Sequence, residues 1–420
     1  MIRQFIIILF IVIQSVALYS QQRYKTTPLT DKIATLEVMT NSGWGSYPII
    51  RLGSDEYVSI EFDYLSEEVF NRLRYKVTHC DASWRKSDRI SEIEYLNGFN
   101  HSLIEDYELS NNTTVDYTHY KLEIPNKDVS FKVSGNYLVE VYDEDNPDKI
   151  LLNACFSVNE ALASIGYKLS TVTNIDANKE HQQLSITVNN SLDIRNPIDE
   201  LKVVVLQNNR LDTERSNLKP FLVTPQKVTY DQNLDLIFEA GNEYRRFETS
   251  SYRSNGYRVA SLKYNPPYYE MYINDERIRS NSTYSYDQDQ NGRFLIRSAD
   301  TDYTETEADY FMTIFTLPME KELPYPIFIN GDFTYNTFSD RYKMKYDPLN
   351  KEYRLSLLLK QGLYNYQYLV YSDKGQFTTS VIEGNYYEAE NEYVAYAYYC
   401  PIGQYYDRLI ATQIFQSRAK

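Results

Sequence analysis

Hydrophobic and polar residues alternate with a period of two along most of the chain. The runs 58–62, 73–77 and 353–357 show this alternation most clearly. Since residues two apart on a strand lie on the same face, each run predicts a strand that is buried on one side. Turn dipeptides such as Asn97-Gly98 and Asn255-Gly256 separate the runs, and no segment has apolar residues at helical spacing over three turns. The pattern predicts an all-β protein built from antiparallel sandwiches.

The length of 420 residues corresponds to two to four domains, at roughly 100–200 residues per domain. We expect three tandem immunoglobulin-like sandwiches of the early-set type after a short leader. The first covers residues 21–159 and the second residues 160–317. The third covers residues 318–420 and begins in the proline-rich connection Pro318–Pro326.

Residues 1–20 have the organisation of a signal peptide. Arg3 precedes the apolar run Phe5–Ile13, and the small residue Ser20 follows at the expected cleavage position. A membrane anchor is the alternative, but the apolar run is shorter than the ~20 residues needed to span the hydrocarbon core. We therefore expect an exported chain with no membrane span.

The composition excludes two classes of partner. Lys and Arg number 43 and Asp and Glu number 58, which gives a net charge of −15. Nucleic-acid binding and docking on an anionic bilayer both depend on basic residues, so neither is expected. The chain has 42 Tyr and 2 Trp. Tyr favours strands and provides rigid contact surfaces with a polar tip, which indicates a β-rich molecule that binds some partner.

The three cysteines, Cys80, Cys155 and Cys400, are too few for a disulfide framework. Cys80 and Cys155 could pair within the first domain, but buried free thiols are the favoured interpretation. The redox state of this pair stays open at the level of sequence.

Catalytic motifs are missing from the sequence, so we expect no enzyme and no cofactor. HExxH, GxSxG, Walker and GxGxxG patterns are all absent. His79, Cys80 and Asp81 are consecutive, and neighbours on a strand point to opposite faces, so His79 and Cys80 are not expected to converge.

The segment that contains Asp287, Asp289 and Asn291 reproduces the first half of a calcium loop. The twelfth position would be Ser298, where a bidentate Glu is required, and Phe294–Ile296 has the pattern of a strand. A hairpin that turns at Asn291-Gly292 is therefore favoured over a calcium site, and no metal is expected.

Two blocks of sequence are more specific than the general pattern. The first is His79-Cys80-Asp81-Ala82-x-Trp84 with Gly98 following, and the second is the Lys360–Tyr368 block with Gly362 and Tyr364. Together they resemble the plug proteins of the bacterial type IX secretion system, over nearly the whole mature chain. The resemblance implies a non-enzymatic periplasmic protein, associated with the outer membrane through its partner, that binds the periplasmic mouth of a large outer-membrane translocon barrel and closes its pore when no substrate is engaged.

The resemblance supplies no interface motif. Candidate contact residues are the large aromatic side chains Trp84, Tyr335, Phe338 and Tyr398. The motif residues are expected to serve the fold instead; these are His79, Cys80, Asp81, Trp84, Gly98, Gly362 and Tyr364.

The last domain suggests an alternative function. Asn330–Asn336, together with the strands that follow, resembles early-set sandwiches that bind starch and glycogen. Tyr335 and Phe338 would supply the aromatic platform. Both tryptophans, Trp44 and Trp84, lie in the first domain, which weakens this interpretation because such platforms usually contain Trp. A periplasmic or surface glycan-binding protein remains the alternative.

Overall fold

The computed structural model of the protein describes residues 23–66, 72–192 and 194–417, and it confirms the predicted all-β fold. The expected signal peptide, residues 1–20, lies outside the described residues. Helices within the described residues are single turns: α1 Glu92–Tyr95, α2 Pro197–Glu200 and α3 Thr304–Glu307. In this part of the chain no helix is long and apolar enough to cross a membrane.

The first sandwich consists of two sheets that pack face to face. One has the order β1-β11-β10-β5, with β3 parallel to β11, and the other has the order β2-β4-β8-β7. Strands β6 and β9 form a separate ribbon. The strands are β1 Thr27–Pro28, β2 Ile33–Thr40, β3 Ile49–Arg51, β4 Val58–Leu65, β5 Leu73–Cys80, β6 Leu96–Gly98, β7 Asp106–Leu109, β8 Tyr117–Ile124, β9 Val129–Phe131, β10 Gly135–Asp143 and β11 Asn146–Asn159. The alternating apolar residues of β4 and β5 enter the shared core, as predicted.

The second sandwich combines strands from the middle of the chain with the last two strands. Its sheets have the orders β12-β13-β16-β15, with β17 on β13, and β14-β28-β29. The strands are β12 Ala163–Ser170, β13 His181–Asn190, β14 Leu201–Gln207, β15 Leu222–Thr224, β16 Lys227–Tyr230, β17 Ile237–Glu239, β28 Glu392–Tyr399 and β29 Arg408–Gln416. One core contains Ile186 from β13 and Tyr393 from β28.

In the sequence, the strands of the third sandwich lie between the two groups of strands that form the second. Its sheets have the orders β18-β26-β21, with β23 and β27 also on β26, and β19-β20-β22-β25-β24. The strands are β18 Arg245–Glu248, β19 Val259–Asn265, β20 Tyr268–Ile273, β21 Phe294–Ile296, β22 Tyr310–Pro318, β23 Ile327–Asn330, β24 Lys345–Asp347, β25 Glu352–Lys360, β26 Gly362–Tyr371 and β27 Phe377–Thr378.

The strand pairing groups the chain differently from the expected segments 160–317 and 318–420. Strand β22 precedes the expected boundary, yet it pairs with β25 along nine residues. Strand β28 follows that boundary, yet Tyr399 pairs with Leu201 of β14. The alternating pattern marks each strand but does not identify its partner, because every strand of a sandwich carries the same pattern. The division into three domains itself stays a prediction.

A buried ion pair joins the first sandwich to the third. Lys360 Nζ lies 2.7 Å from Asp63 Oδ2, and both side chains are almost completely buried. Asp63 also accepts a hydrogen bond from Tyr310 Oη at 2.6 Å, and its other oxygen lies 2.8 Å from His119 Nδ1. Burial alone would raise the pKa of Asp63, but Lys360 and His119 outweigh it and hold that pKa below its usual value.

Aromatic residues complete the surroundings of this pair. The Lys360 ammonium lies 4.2 Å from the ring centroid of Tyr117, a cation–π contact. Tyr117 in turn donates a hydrogen bond from Oη to the carbonyl of Ala308 at 2.9 Å. Each charge is thus compensated by groups from both sandwiches, and neither sandwich alone provides a full set of partners.

Removal of Lys360 alone leaves the Asp63 carboxylate buried without its cation. We expect Lys360→Met to lower the free energy of unfolding by about 3–5 kcal/mol. The double variant Asp63→Asn/Lys360→Met removes both charges and is expected to recover most of this loss. Urea denaturation measures both. Equal losses in the single and double variants would contradict the role assigned to the pair.

The same pair predicts acid sensitivity. The pKa of Asp63 in the folded protein lies below the ordinary value of 3.8, so its contribution to stability is present above 3.8 and is lost as the pH falls through the lowered pKa. Urea denaturation below pH 4 is expected to show a shallower loss of stability in the double variant than in the wild type. An identical acid profile would contradict this assignment.

Candidate functional site

The three sandwiches meet around a cavity of about 200 Å³. Residues from all three contribute to its wall, and large aromatic side chains make up much of it: Trp44, Tyr47, Trp84, Tyr335, Tyr396 and Tyr398. This junction brings together parts of the chain that are more than 300 residues apart, and it is the place where a site could depend on all three sandwiches.

The motif at residues 79–84 connects the first sandwich to the second. Asp81 Oδ1 accepts hydrogen bonds from the backbone N–H groups of Ser83 at 2.8 Å and Arg85 at 3.0 Å, which fixes a tight turn. The turn presents the Ala82 N–H to Asp407 Oδ2 at 2.9 Å, just before β29. The motif therefore shapes a loop that docks on the second sandwich.

His79 is fully engaged inside the first sandwich. Its ring nitrogens lie 2.9 Å from Ser87 Oγ and 3.1 Å from the carbonyl of Ser134. Burial lowers its pKa to about 4, so the imidazole is neutral at physiological pH. Its ring also contacts Tyr406 of the second sandwich, with centroids 5.7 Å apart. These contacts assign His79 to the packing of the first sandwich and of its contact with the second.

All three cysteines are free thiols in the structure. Cys80 on β5 and Cys155 on β11 are buried, and strand β10 lies between their strands. Burial raises the pKa of Cys80 to about 12, which removes its reactivity as a thiolate. Cys80 packs with Leu138, whereas His79 contacts the ring of Tyr137, so the two neighbours face opposite sides as predicted.

The motif glycines occupy positions with no room for a side chain. Gly98 has φ +93°, and a Cβ there would lie 1.8 Å from the carbonyl oxygen of Asp128. A Cβ at Gly362 would lie 2.4 Å from the carbonyl oxygen of Leu295. The ring of Tyr364 is buried and stacks on Phe247 with a centroid distance of 5.1 Å.

The four aromatic residues expected at an interface all contact other parts of the same chain. Tyr398 is 2 % exposed, and its hydroxyl donates to Asn136 Oδ1 at 2.9 Å. Tyr335 Oη accepts a hydrogen bond from the Leu36 N–H at 3.0 Å, and Trp84 lines the cavity. Phe338 stacks on Phe377 with centroids 3.5 Å apart. Since Tyr335 and Phe338 contact different neighbours, they do not form one open platform for a sugar.

The loop of Asp287, Asp289 and Asn291 directs its carboxylates toward protein donors. Asp287 pairs with Arg246, and Asp289 accepts hydrogen bonds from the backbone N–H groups of Asn291 and Tyr244. Within the described residues, no group of three or more His, Cys, Asp and Glu side chains is placed to hold a metal ion.

The predicted hairpin at Asn291-Gly292 is wrong. Residues 274–293 contain no strand, so the turn has no strand before it. Strand β21 follows the turn, as predicted, but it pairs with β26. The turn at this dipeptide is present, but the strand that pairs with β21 lies about 70 residues further along the chain.

Two carboxyl groups in the cavity were not predicted from the sequence. Glu37 of β2 makes no ion pair and no side-chain hydrogen bond with the described residues. Burial raises its pKa to about 8, and Glu61 adds to this. Burial likewise raises the pKa of Asp332 to about 6, against the opposing charge of Arg293. A bulge between Ala34 and Glu37 reorients β2, and no Gly or Asn marks it in the sequence.

An ion pair in the cavity wall joins the second sandwich to the third. Arg293, which precedes β21 of the third sandwich, pairs with Glu392 at the start of β28 in the second. The Arg293 guanidinium also lies 5.5 Å from the ring centroid of Tyr47, which belongs to the first sandwich. Arg293 is therefore a point where all three sandwiches meet.

Comparison with known proteins identifies the first sandwich. Residues 33–160 match the family model described as "Type 9 secretion system plug protein 1st domain". The chain is 42 % identical to a hypothetical protein from Parabacteroides merdae whose crystal structure superposes with a TM-score of 0.92. This likeness covers 94 % of our chain and 100 % of that chain.

Two further solved structures are only remotely similar. A biofilm-associated protein B domain has 6 % identity and a TM-score of 0.17, covering 94 % of this chain and 88 % of that one. A Salmonella alpha-2-macroglobulin variant has 9 % identity and a TM-score of 0.19, covering 94 % of this chain and 33 % of that one. Neither shows a shared fold. The curated proteins include no match to the chain.

Glu37 predicts a distinct pH dependence of stability. Its pKa is about 8 in the folded protein and 4.5 in the unfolded chain, so the folded state holds the proton more tightly. Wild-type stability is therefore expected to fall as the pH rises from 4.5 toward 8. Glu37→Gln removes this contribution and is expected to flatten the profile measured by urea denaturation.

The matched control is Glu108→Gln on the exposed strand β7, which makes the same chemical change away from the cavity. It is expected to keep the wild-type pH profile. A Glu37→Gln profile that parallels the wild type across this interval would show that Glu37 is not held in its neutral form.

Proposed function

Because the chain belongs, through its first domain, to the plug protein family of the type IX secretion system, we propose that it closes the pore of that system's outer-membrane translocon from the periplasmic side. The observation that carries this proposal is the match of residues 33–160 to the plug family model. The chain acts by binding the translocon barrel, and no catalysis is required of it.

The contacts between the sandwiches support a stopper of fixed shape. Asp63–Lys360 joins the first sandwich to the third, Ala82–Asp407 joins the first to the second, and Arg293–Glu392 joins the second to the third. Each pair of sandwiches is thus connected directly. A stopper with a fixed shape can fill an opening with less loss of conformational entropy on binding than a chain of loosely linked domains.

The surface charge also suits a partner that binds reversibly. A net charge of −15 opposes self-association and keeps the free protein soluble while it is released from the barrel. A location on the periplasmic side of the outer membrane, held there by the partner, follows from this role.

The β15–β16 hairpin is the surface that we propose contacts the translocon. All seven residues from 221 to 227 are exposed. Phe221, Leu222 and Val223 are exposed by 62 %, 51 % and 43 %, although each is apolar. Strand β15 is also at the edge of its sheet, so its outer backbone groups are available to pair with a strand of the partner.

Affinity purification from native membranes tests the partner. The tagged protein, extracted in mild detergent, is expected to bring down a large outer-membrane barrel in comparable molar amount, identified by mass spectrometry. Deletion of the gene is expected to raise outer-membrane permeability to a large antibiotic. A preparation that contains the tagged protein alone, together with unchanged permeability, would contradict the proposal.

Paired substitutions test the hairpin within the same assay. Phe221→Ser/Leu222→Ser is expected to lower the recovered barrel by about tenfold, because buried aromatic anchors dominate protein interfaces. Leu349→Ser is the matched control, since Leu349 is 92 % exposed in a turn of the third sandwich. Equal recovery with the paired substitution and the control would exclude the hairpin as the contact, and unchanged thermal unfolding confirms that both variants fold.

Binding of α-glucans through the third sandwich is the alternative function. The separate contacts of Tyr335 and Phe338 do not favour it. If the purification yields no barrel, retention of the protein on immobilised glycogen, with loss of retention in Tyr335→Ala, would support this alternative.

A further inference from the structure

Both tryptophans of the chain lie in the wall of the cavity at the junction. Trp44 and Trp84 come from different loops of the first sandwich, and Tyr335 of the third sandwich joins them. Trp44 lies between Gly43 and Gly45, and its indole Nε1–H donates to the carbonyl of Phe294 at 2.6 Å. The ring is 40 % exposed, so it lies where the cavity meets solvent.

Acidic side chains outnumber basic ones in the wall of the cavity. Arg293 is neutralised by Glu392, and Glu214 is neutralised by Arg23. Glu37 has no such ion-pair partner among the described residues, and Asp332 has a hydrogen bond with Asn336 and the charge of Arg293, which Glu392 already neutralises. Lys25 is the one further cation of the wall, and the carboxylate that acts on it is Asp212, which is not part of the wall. Two carboxyl groups are therefore left without a cation of their own.

An unsatisfied polar atom also lines the cavity. Tyr47 is more than nine-tenths buried, and its hydroxyl lies near the Glu392 carboxylate but forms no hydrogen bond of good geometry within the described part of the chain. Asn291 Oδ1, also in the wall, has no partner either. Buried polar groups are normally paired, and unpaired ones indicate a missing ligand or water. Both atoms can accept a hydrogen bond from a donor in the cavity.

We propose that this cavity binds a small organic cation, an ammonium or guanidinium group, with Glu37 and Asp332 as its charge partners and the rings of Trp44, Trp84 and Tyr335 as its aromatic wall. Carboxylates pair with such cations, and aromatic faces attract them. A neutral sugar could stack on the rings but would supply no charge to pair with Asp332 or with the ionised form of Glu37. The volume of about 200 Å³ admits a molecule somewhat larger than benzene, which fills an apolar cavity of about 150 Å³.

This inference does not depend on the proposed translocon partner, since it concerns a cavity inside the molecule and is tested on the purified chain. The fluorescence of Trp44 and Trp84 is a direct readout, because the chain has no other tryptophan. Agmatine, which carries a guanidinium and an ammonium group, is the cationic probe, and D-glucose is the neutral one. Isothermal titration calorimetry provides the affinity.

Agmatine is expected to change the tryptophan fluorescence and to bind at millimolar concentration or below. Binding is expected to weaken by about tenfold in Glu37→Gln and in Asp332→Asn, because each removes one charge partner. Glu108→Gln, on exposed β7, is expected to bind as the wild type does. If one cavity variant fails to fold, the other still tests the proposal.

Binding is also expected to release protons and to strengthen as the pH rises from 6 to 8, because Glu37 ionises there with a pKa of about 8. The charged groups that influence Glu37 are Glu61 and Asp63 of β4, Lys360 of β25 and Asp332. No response to agmatine up to about 10 mM would overturn the proposal, since this corresponds to less than about 2.7 kcal/mol of binding free energy. Binding of glucose without agmatine would also overturn it and indicate a sugar site.

Discussion

The buried pair of Asp63 and Lys360 determines how the first and third sandwiches are placed relative to each other. Two charges in a low-dielectric interior are tolerated only when each is paired and hydrogen-bonded. Here the partners come from both sandwiches: Tyr310 and Lys360 from the third, and His119 and Tyr117 from the first. A different packing of the same apolar surfaces would leave one charge unpaired. The pair therefore selects one orientation, and the cavity at the junction depends on that orientation.

The sequence pattern predicts where the strands lie but does not record which strands pair with each other. The period-two alternation of β4, β5 and β25 reports burial of one face, which is a local property. The pairing of β28 with β14 depends on contacts across almost 200 residues, and nothing in the alternation of either strand records it. The interruption of the second sandwich by the third therefore became visible only in three dimensions.

The residues of the candidate site were predictable from the sequence only in part. The motif at residues 79–84 was identified from its residues, and the structure places it in a loop that contacts Asp407. The aromatic residues Trp84, Tyr335 and Tyr398, which the sequence offers as contacts with a partner, all contact other parts of the same chain. Aromatic residues are favoured both at contacts between domains of one chain and at contacts with a partner protein. Composition therefore does not distinguish the two kinds of contact. Glu37 was missed because its position in the cavity depends on a register shift in β2 and on a sandwich distant in sequence.

In the proposed plug, the arrangement of the sandwiches and the exposed hairpin would have different tasks: the first gives the shape that fills the pore, and the second contacts the translocon. The internal contacts fix the shape of the body, whereas the apolar residues at 221–223 lie on the outside, on an edge strand that is free to pair.

The central claim is that this body closes the translocon. The most direct test is the ion conductance of the purified translocon in a planar bilayer, with the protein added to the periplasmic side. If the protein closes the translocon, conductance falls to the level of a membrane without open pores at about equimolar protein. An unchanged conductance at saturating protein would contradict it.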